Sequence, residues 1–301
     1  MDFNQIIQSF QAEMLANGIN PPDQINADGE LHRFYIQGDK RGSKNGWYII
    51  NSDYIPCGVF GSWKVGKSTK WCAKKREHMN SVECVKFQHQ IVDIKRQRDT
   101  ERTKMRGKAA KLAERIYRGC SPVEPNHPYL IRKRISPYCA RQCGKNLVLP
   151  IKNIEGKIWS LQHIMPSGDK LFLANGAVSG HFIPVQGWPA NHVKNLICEG
   201  FSTGATLAEA YPQACVIAAC NAGNLKPVAL GVRKHLPDAE IIICADDDRL
   251  NPDNPGLTNG RDAAIASGSL LTKPDWPEGA PDSLTDFNDL ACWIFSQGAL
   301  A

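Results

Sequence analysis

The sequence predicts an α/β protein with a parallel sheet flanked by helices at its carboxyl end, preceded by an α+β amino-terminal region and a long basic helix. Continuous apolar runs near the carboxyl end alternate with segments of helical periodicity, which is the order of a parallel sheet. Short strand-like runs between turns dominate the amino-terminal region, and a charged stretch of good helix formers follows them. These changes of character divide the 301 residues into four predicted segments, 1–73, 74–120, 121–192 and 193–301.

The first predicted segment begins with an amphipathic helix. Apolar residues recur with helical spacing over residues 1–18, and Gly18 followed by two prolines ends the pattern. Two strands, 31–37 and 46–51, follow on either side of a polar turn, and the β-rich pattern continues as far as Trp63. We therefore expect a small, turn-rich α+β unit.

Residues 61–69, GSWKVGKST, satisfy the phosphate-loop pattern G-x-x-x-x-G-K-[ST]. That pattern binds nucleotide phosphates where a buried strand runs into the loop and a helix begins at the final Ser or Thr. Here Pro56 and Gly58 interrupt the preceding segment, and the residues after Ser68 are polar and charged without apolar helical spacing. We therefore expect that this stretch is not a phosphate-binding loop and that Lys67 is dispensable for nucleotide use.

The second predicted segment is one long and largely exposed helix. Residues 74–118 contain 14 Lys and Arg against 6 Asp and Glu, a net charge of +8. In contrast, residues 196–292 contain 6 basic against 14 acidic residues, a net charge of −8. This contrast predicts that the helix meets a polyanion, although a charged helix face is also what ordinary solvation produces. The candidate contacts are Arg96, Arg98, Arg102 and Lys104.

The last predicted segment has the order β-α-β-α-β, after the short strands of the third. Its apolar runs, 195–200, 214–220 and 240–248, are suited to strands buried on both faces. Ligands of such a sheet bind beyond the carboxyl ends of its strands. Glu199 ends the first of these strands, and Asp246 and Asp248 end the third.

Alternation along an extended chain directs Asp246 and Asp248 to one side and Asp247 to the other. Neighbouring carboxylates repel one another unless a divalent cation joins them, and oxygen ligands favour Mg²⁺, with Mn²⁺ as an alternative. Asp286 and Asp289, near the start of the last helix, are further candidate ligands. The competing interpretation is that the three consecutive aspartates form only a turn and a helix cap.

These motifs resemble, in order and spacing, the TOPRIM domain of bacterial-type primases, topoisomerases and some nucleases. The matching residues are CEG at 198–200, ADDD at 245–248 and DFNDL at 286–290. The resemblance implies that Glu199 is a general acid/base or metal-linked residue and that Asp246 and Asp248 bind Mg²⁺. Upstream, the chain is similar to the segments that precede this domain in primases of conjugative plasmids and phages. These segments are NHPYLIRKRI at 126–135, residues 160–182 and the FG-x-W turn.

The resemblance implies a Mg²⁺-dependent DNA primase, a nucleotidyltransferase that makes short primers from nucleoside triphosphates on single-stranded DNA. A replicative helicase is a candidate partner, and the context is plasmid, phage or mobile-element replication. The alternatives are a TOPRIM nuclease and a non-catalytic DNA-binding replication module. The cations nearest in sequence, which are candidates to grip template or triphosphate, are Lys170, Arg132, Lys133 and Arg134.

Cysteine usage and the absence of targeting signals favour a cytoplasmic protein. The eleven cysteines form no C-x-x-C pair, so a zinc site is not expected. Cys139 and Cys143, with Cys120 and His127 upstream, are the conceivable zinc ligands, and separate buried thiols are the preferred interpretation. No stretch approaches the roughly 20 apolar residues of a membrane span, and we expect no membrane partner.

Overall fold

The structure is a computed structural model that describes residues 2–39, 41–52, 55–74 and 78–298. The chain divides into two compact units, which we call unit 1 (Met1–Lys104) and unit 2 (Met105–Ala301). The boundary between the two units lies within a long helix and coincides with none of the predicted boundaries. The division into four segments therefore stays a prediction. Part of the predicted start of the basic helix, residues 75–77, lies outside the described residues.

Unit 1 contains a four-stranded antiparallel sheet and a helix on each of its faces. The strands pair in the order β1-β2-β3-β4, and the ring of Phe10 in the first helix packs edge-on against Phe60 and Trp71 at 5.5 and 5.4 Å. Ile94 of the second helix packs on the opposite face with Trp47. The elements are α1 (Phe3–Ala16), β1 (His32–Phe34), β2 (Gly46–Asn51), β3 (Cys57–Ser62), β4 (Ser68–Cys72) and the first part of α2 (Ser81–Gly119).

Helix α1 forms where the sequence predicts it, because a capping box begins it and an apolar stripe anchors it. The Asp2 carboxylate accepts from the Gln5 amide at 2.8 Å, and the Gln5 side chain accepts from the Asp2 amide at 3.0 Å. Ile6, Phe10 and Met14 follow at intervals of four residues and are all buried. The amphipathic pattern therefore identifies both the helix and its buried face.

The GSWKVGKST stretch is a β-hairpin. Gly61 lies opposite Ser68, which begins strand β4 instead of a helix. The Ser62 amide donates to the Lys67 carbonyl at 3.2 Å, and the Gly66 amide donates to the Ser62 carbonyl at 2.9 Å. A Cβ at Gly61 would collide with the Lys67 carbonyl, and Gly66 has a φ of +74°, so both glycines serve the hairpin. The prediction that this stretch is not a phosphate loop is confirmed.

Unit 2 contains two sheets that share one core. The parallel part of the larger sheet has the order β13-β12-β10-β11, and β9 joins its edge in the antiparallel direction. The smaller sheet is antiparallel, in the order β5-β6-β7-β8. Leu147 and Leu149 of the smaller sheet pack in one cluster with Ile183 and Cys198 of the larger. The α/β prediction, with a parallel sheet at the carboxyl end, is confirmed.

Most predicted strands and helices of unit 2 are present, and the differences concern one strand end and several short elements. The third parallel strand ends at Cys244, before the aspartates that we expected it to contain. The strands β5, β9 and β13 and the short helix α3 were not predicted. The strands are β5 (Arg141–Cys143), β6 (Asn146–Lys152), β7 (Ile158–Ile164), β8 (Lys170–Phe172), β9 (Ile183–Gln186), β10 (Asn195–Cys198), β11 (Cys215–Ala218), β12 (Ile241–Cys244) and β13 (Leu270–Thr272). The helices are α3 (Pro128–Lys133), α4 (Phe201–Ala210), α5 (Leu225–His235), α6 (Pro255–Ser267) and α7 (Phe287–Ser296), with a 3-10 turn at Ala222–Asn224. Within the described ranges, no helix is long and apolar enough to cross a bilayer.

Candidate active site at the carboxyl edge of the parallel sheet

Four acidic residues lie at the carboxyl edge of the parallel sheet. Glu199 follows β10 directly, and Asp246 and Asp248 lie in the loop after β12. Asp286 caps α7, where its carboxylate accepts from the Asp289 amide at 2.7 Å. Neighbouring parallel strands therefore bring together acids that are far apart in sequence.

Burial and mutual repulsion change the ionisation of these acids. Burial, with the nearby carboxylates of Glu199, Asp286 and Asp248, raises the pKa of Asp246 to about 8. Burial is also the main reason why the pKa of Glu199 is raised, with Asp248 and Asp286 adding to the effect. Burial, followed by the Asp289 carboxylate, raises the pKa of Asp286. The four groups therefore interact strongly although they belong to three separate loops.

The donor set of this acid cluster fits Mg²⁺. One oxygen of Asp246, Oδ1, is buried and has no hydrogen-bond partner in the part of the chain that the structure describes. No three His, Cys, Asp or Glu side chains among the described residues converge closely enough to ligate one ion. Mg²⁺ commonly takes one or two carboxylates and completes its shell with water and phosphate oxygens, so three converged ligands are not required.

Asp247 points away from the acid cluster, as alternation predicted, and anchors the loop that carries the catalytic candidates. Its side chain is 2% exposed and accepts from Lys273 Nζ at 2.8 Å and from Trp276 Nε1 at 3.1 Å. Asn254 Nδ2 donates to Asp247 at 2.8 Å, while the Asn254 side-chain oxygen accepts from the Asp248 amide at 3.0 Å. This network fixes the backbone on both sides of Asp247.

A close approach by helix α6 fixes the same loop from its other side. The Gly256 amide donates to Asp248 Oδ2 at 3.0 Å. A Cβ at Gly256 would lie 2.7 Å from the Asp246 carbonyl oxygen, so only glycine allows this approach. The roles of Asp247, Asn254 and Gly256 were missed in the sequence, and the adjacency of Asn-Pro-Gly to the acids was the available signal.

Lys170 is a candidate cation that lies beside the acid cluster. It is exposed on β8, and its Nζ is 3.8 Å from the position that a Cβ on Gly200 would occupy. Its charge lowers the pKa of Glu199 and of Asp246 against the larger effect of burial. The smaller sheet therefore contributes a lysine to the acid edge of the larger one.

The remaining basic candidates of unit 2 have protein partners. Lys133 Nζ lies 3.1 Å from Asp289 Oδ1, and the other oxygen of Asp289 accepts from the Thr285 amide at 3.2 Å. Arg132 donates to the Pro166 carbonyl at 3.0 Å, and the Arg134 guanidinium lies 3.7 Å from the centre of the Phe295 ring. Two predicted site residues, Lys133 and Asp289, are thus brought together as an ion pair between α3 and α7.

The basic candidates on helix α2 lie in unit 1 and are paired mainly along the helix. Arg96 lies 3.5 Å from Asp93, while Arg98 and Arg102 lie 3.5 and 3.1 Å from Asp99. Lys104 is exposed. The pairs of Arg96 and Arg102 are exposed and therefore weak, so these two arginines stay available to a polyanion, whereas the Arg98 side chain is half-buried.

The conceivable zinc ligands have other roles in the fold. The His127 Nδ1 atom accepts from the Tyr129 amide at 3.3 Å and Nε2 donates to the Lys145 carbonyl at 3.0 Å, so both ring nitrogens are used. Burial raises the pKa of the Cys139 thiol to about 12, which keeps it protonated. These contacts support structural roles for His127 and Cys139.

Comparison with known proteins agrees with the geometry of the acid edge. Residues 194–293 match the family model described as the Toprim domain. Two curated proteins of Escherichia coli, both named DNA primase TraC, are similar to most of the chain. The first is 30% identical over 287 residues, which are 92% of this chain and 26% of that protein. The second is 32% identical over 296 residues, which are 95% of this chain and 20% of that protein.

The chain thus spans about a quarter or less of the length of these relatives. Among solved structures, the primase fragment of the bacteriophage T7 primase-helicase protein is 15% identical, with a TM-score of 0.43. That match covers 60% of this chain and 78% of the fragment. Residues 194–293 therefore match the Toprim domain, in a chain that is similar over most of its length to the TraC DNA primases.

Proposed function

We propose that this protein is a Mg²⁺-dependent DNA primase that joins nucleoside triphosphates into short primers on single-stranded DNA. The observation that carries the proposal is the acid cluster, in which the buried Asp246 oxygen has no partner among the described residues and Lys170 lies alongside. Similarity to the TraC primases supports primer synthesis as the reaction. We place the activity in the cytoplasm, in plasmid, phage or mobile-element replication, with a replicative helicase as the candidate partner.

The residues at the acid edge have complementary roles in this proposal. Asp246 and Asp248, with Asp286 beside them, would hold Mg²⁺, and the ion would supply positive charge to neutralise the triphosphate. Lys170, which lies beside the acid cluster, would contact the triphosphate. Glu199 accepts the proton of the 3′-hydroxyl, because burial makes its carboxylate a stronger base than an exposed glutamate. Asp289 supports this site indirectly, by holding Lys133.

The test is a primer-synthesis assay with single-stranded DNA, labelled nucleoside triphosphates and Mg²⁺. The proposal expects new short oligomers, which Asp246→Asn and Glu199→Gln should reduce by at least about 100-fold. Degraded template without incorporation would indicate a nuclease instead. Neither product would indicate a DNA-binding module.

The matched control for Asp246→Asn is Asp253→Asn. Asp253 is exposed in the same loop and its carboxylate is outside the acid cluster, so this change removes the same charge nearby. The control should retain full activity. Equal losses in both variants would show that the effect is general to the loop and would contradict the metal role of Asp246.

A further inference from the structure

The GSWKVGKST hairpin has no part in the proposed catalysis, yet it carries a concentration of exposed cations. The β1–β2 and β3–β4 connections emerge from the same end of the antiparallel sheet, because each joins neighbouring strands of a meander. The Trp63 amide donates to the Asn45 carbonyl at 2.9 Å, which ties the two loops together. We call the cations of these loops and of adjoining β4 the basic tip: Arg41, Lys44, Lys64, Lys67 and Lys70.

The basic tip is built around a single acid. Asp39 accepts from Lys64 at 2.7 Å and from Asn45 Nδ2 at 2.9 Å, so its charge is used within the loops. The other four cations of the tip are exposed and have no ion-pair partner in the described ranges. A fixed surface with several unpaired positive charges attracts a polyanion and releases its counterions.

Arg33 connects the basic tip with helix α2. Arg33 donates to the Lys44 carbonyl through Nε at 2.9 Å and Nη2 at 2.6 Å. Arg33 and Arg96 also line one pocket of about 400 Å³, with Glu30, Leu31, Gln97, Thr100 and Glu101. Within unit 1, Arg33 therefore connects the hairpin loops to a pocket shared with helix α2, in which two glutamates accompany the two arginines.

An exposed aromatic ring stands beside the basic tip. Tyr35 is 47% exposed, and its hydroxyl donates to the Asp39 carbonyl at 3.0 Å, which fixes the ring at the base of the loop. Cations that follow a backbone, combined with an aromatic ring on which a base stacks, are the usual elements of a single-strand binding surface.

We propose that the basic tip binds the phosphate backbone of single-stranded nucleic acid, with Tyr35 as the stacking surface for one base. The choice of nucleic acid among polyanions rests on the proposed function. Lys67 of GSWKVGKST then contacts phosphate in the template backbone and not in the nucleotide substrate. This surface adds a second contact with DNA to that predicted for α2.

The experiment measures binding of the full chain to a fluorescent oligothymidine by anisotropy, without nucleotide, over a range of KCl. The test variant is Arg41→Gln with Lys44→Gln, Lys67→Gln and Lys70→Gln. We expect affinity to fall at least about tenfold at low salt, and the salt slope to fall by about 3, since each single-strand phosphate contact contributes about 0.7. The matched control removes four exposed lysines of unit 2, with Lys145→Gln, Lys194→Gln, Lys226→Gln and Lys234→Gln.

Equal effects of the two quadruple variants would overturn the proposal, since net charge alone would then explain the loss. Unchanged binding by the test variant would also overturn it and would leave a protein or membrane partner as the explanation for the charge. Thermal unfolding of both variants checks that unit 1 is folded. Primer synthesis is measured separately, so binding at the tip without primers would contradict only the proposed function.

Tyr35 provides an independent readout. Tyr35→Leu should weaken binding by about fivefold or more, while Tyr35→Phe, which keeps the ring, should restore it. Equal binding by the leucine and phenylalanine variants would remove stacking from the proposal. Both variants lose the hydrogen bond to the Asp39 carbonyl, so the comparison between them tests the aromatic ring.

Discussion

Two loops of this protein follow buried strands and carry residues suited to phosphate chemistry, yet their settings differ. The loop after β3 contains Gly66 and Lys67 in a phosphate-loop pattern, and it turns back at once into the antiparallel strand β4. The loop after β12 matches no phosphate-loop pattern, and it leads from a parallel strand to the amino end of helix α6.

The comparison shows that direction of pairing decides what a loop can bind. In the hairpin, backbone amides such as those of Ser62 and Gly66 are used by neighbouring carbonyls and are unavailable to phosphate. In the parallel sheet, the carboxyl ends of three strands place acids from distant segments at one edge. Side-chain identity is therefore informative only together with the strand order around it.

The largest effect should come from closing the space between α6 and the acid loop. Gly256→Ala places a Cβ 2.7 Å from the Asp246 carbonyl oxygen, which must move the loop that carries Asp246 and Asp248. We expect primer synthesis at saturating substrate to fall about 100-fold, the effect of a displacement of about 1 Å in an active site. Gly231→Ala, in α5 and with open space around it, is the control and should be fully active. Wild-type activity of the Gly256 variant would show that the loop does not position the acids.

The next effect should come from removing the anchor of the acid loop. Asp247→Ala leaves Lys273, Trp276 and Asn254 without a shared acceptor, and it should lower the free energy of unfolding by about 1–3 kcal/mol. Mg²⁺ affinity, followed by calorimetry, should fall as well, because Asp248 loses its fixed position. Asp253→Ala is the matched control. Loss of stability without loss of Mg²⁺ affinity would make Asp247 a purely structural residue.

Removal of the Asp246 charge should have a smaller effect, and in the metal-free protein it should raise stability where the loss of Asp247 lowers it. The pKa of Asp246 is about 8 in the fold against an ordinary value of 3.8, so folding favours its protonated form. The contribution of Asp246 to the free energy of unfolding is fully present below the ordinary pKa of the group and is lost as pH rises toward 8. Asp246→Asn should therefore raise Tm in EDTA at pH 8 and have little effect near pH 4. Added Mg²⁺ should stabilise the wild type more than the variant, and an unchanged Tm difference across pH would contradict the assignment.

The smallest effect is expected at the residue that the phosphate-loop pattern emphasises. Lys67→Ala should leave the KM for nucleoside triphosphate unchanged and weaken the affinity for single-stranded DNA by about twofold at low salt. Steady-state kinetics and DNA anisotropy on the same preparation separate these quantities. A large increase in the KM for triphosphate would mean that the hairpin binds nucleotide after all.

The sequence predicted the parts of the fold that depend on local pattern. Buried runs of Ile, Val and Ala identify β10, β11 and β12, and the common direction of these strands places Glu199 near Asp246. The end of β12 was predicted four residues too late, because apolar continuity does not reveal where pairing stops.

The parts that were missed depend on contacts between distant segments. Strand β9 pairs with the edge of the parallel sheet through only four residues of ordinary composition. Lys133 and Asp289, which form an ion pair, are 156 residues apart in sequence, and no periodicity of the sequence indicates that they meet. The hydrogen bonds of Asp247 could not be predicted either, because its partners Lys273 and Trp276 follow it by more than twenty residues.

The tie between α3 and α7 has a consequence for how the protein is made. The Asn288 side chain donates to the Lys133 carbonyl at 2.7 Å, beside the ion pair between Lys133 and Asp289, so the helix that Asp286 caps docks on the beginning of unit 2. During synthesis, α3 leaves the ribosome before α7 exists, so Lys133 lacks its carboxylate partner until Asp289 has been translated. The fourth acid therefore joins the other three only when α7 has been translated, and the complete site cannot form before that point.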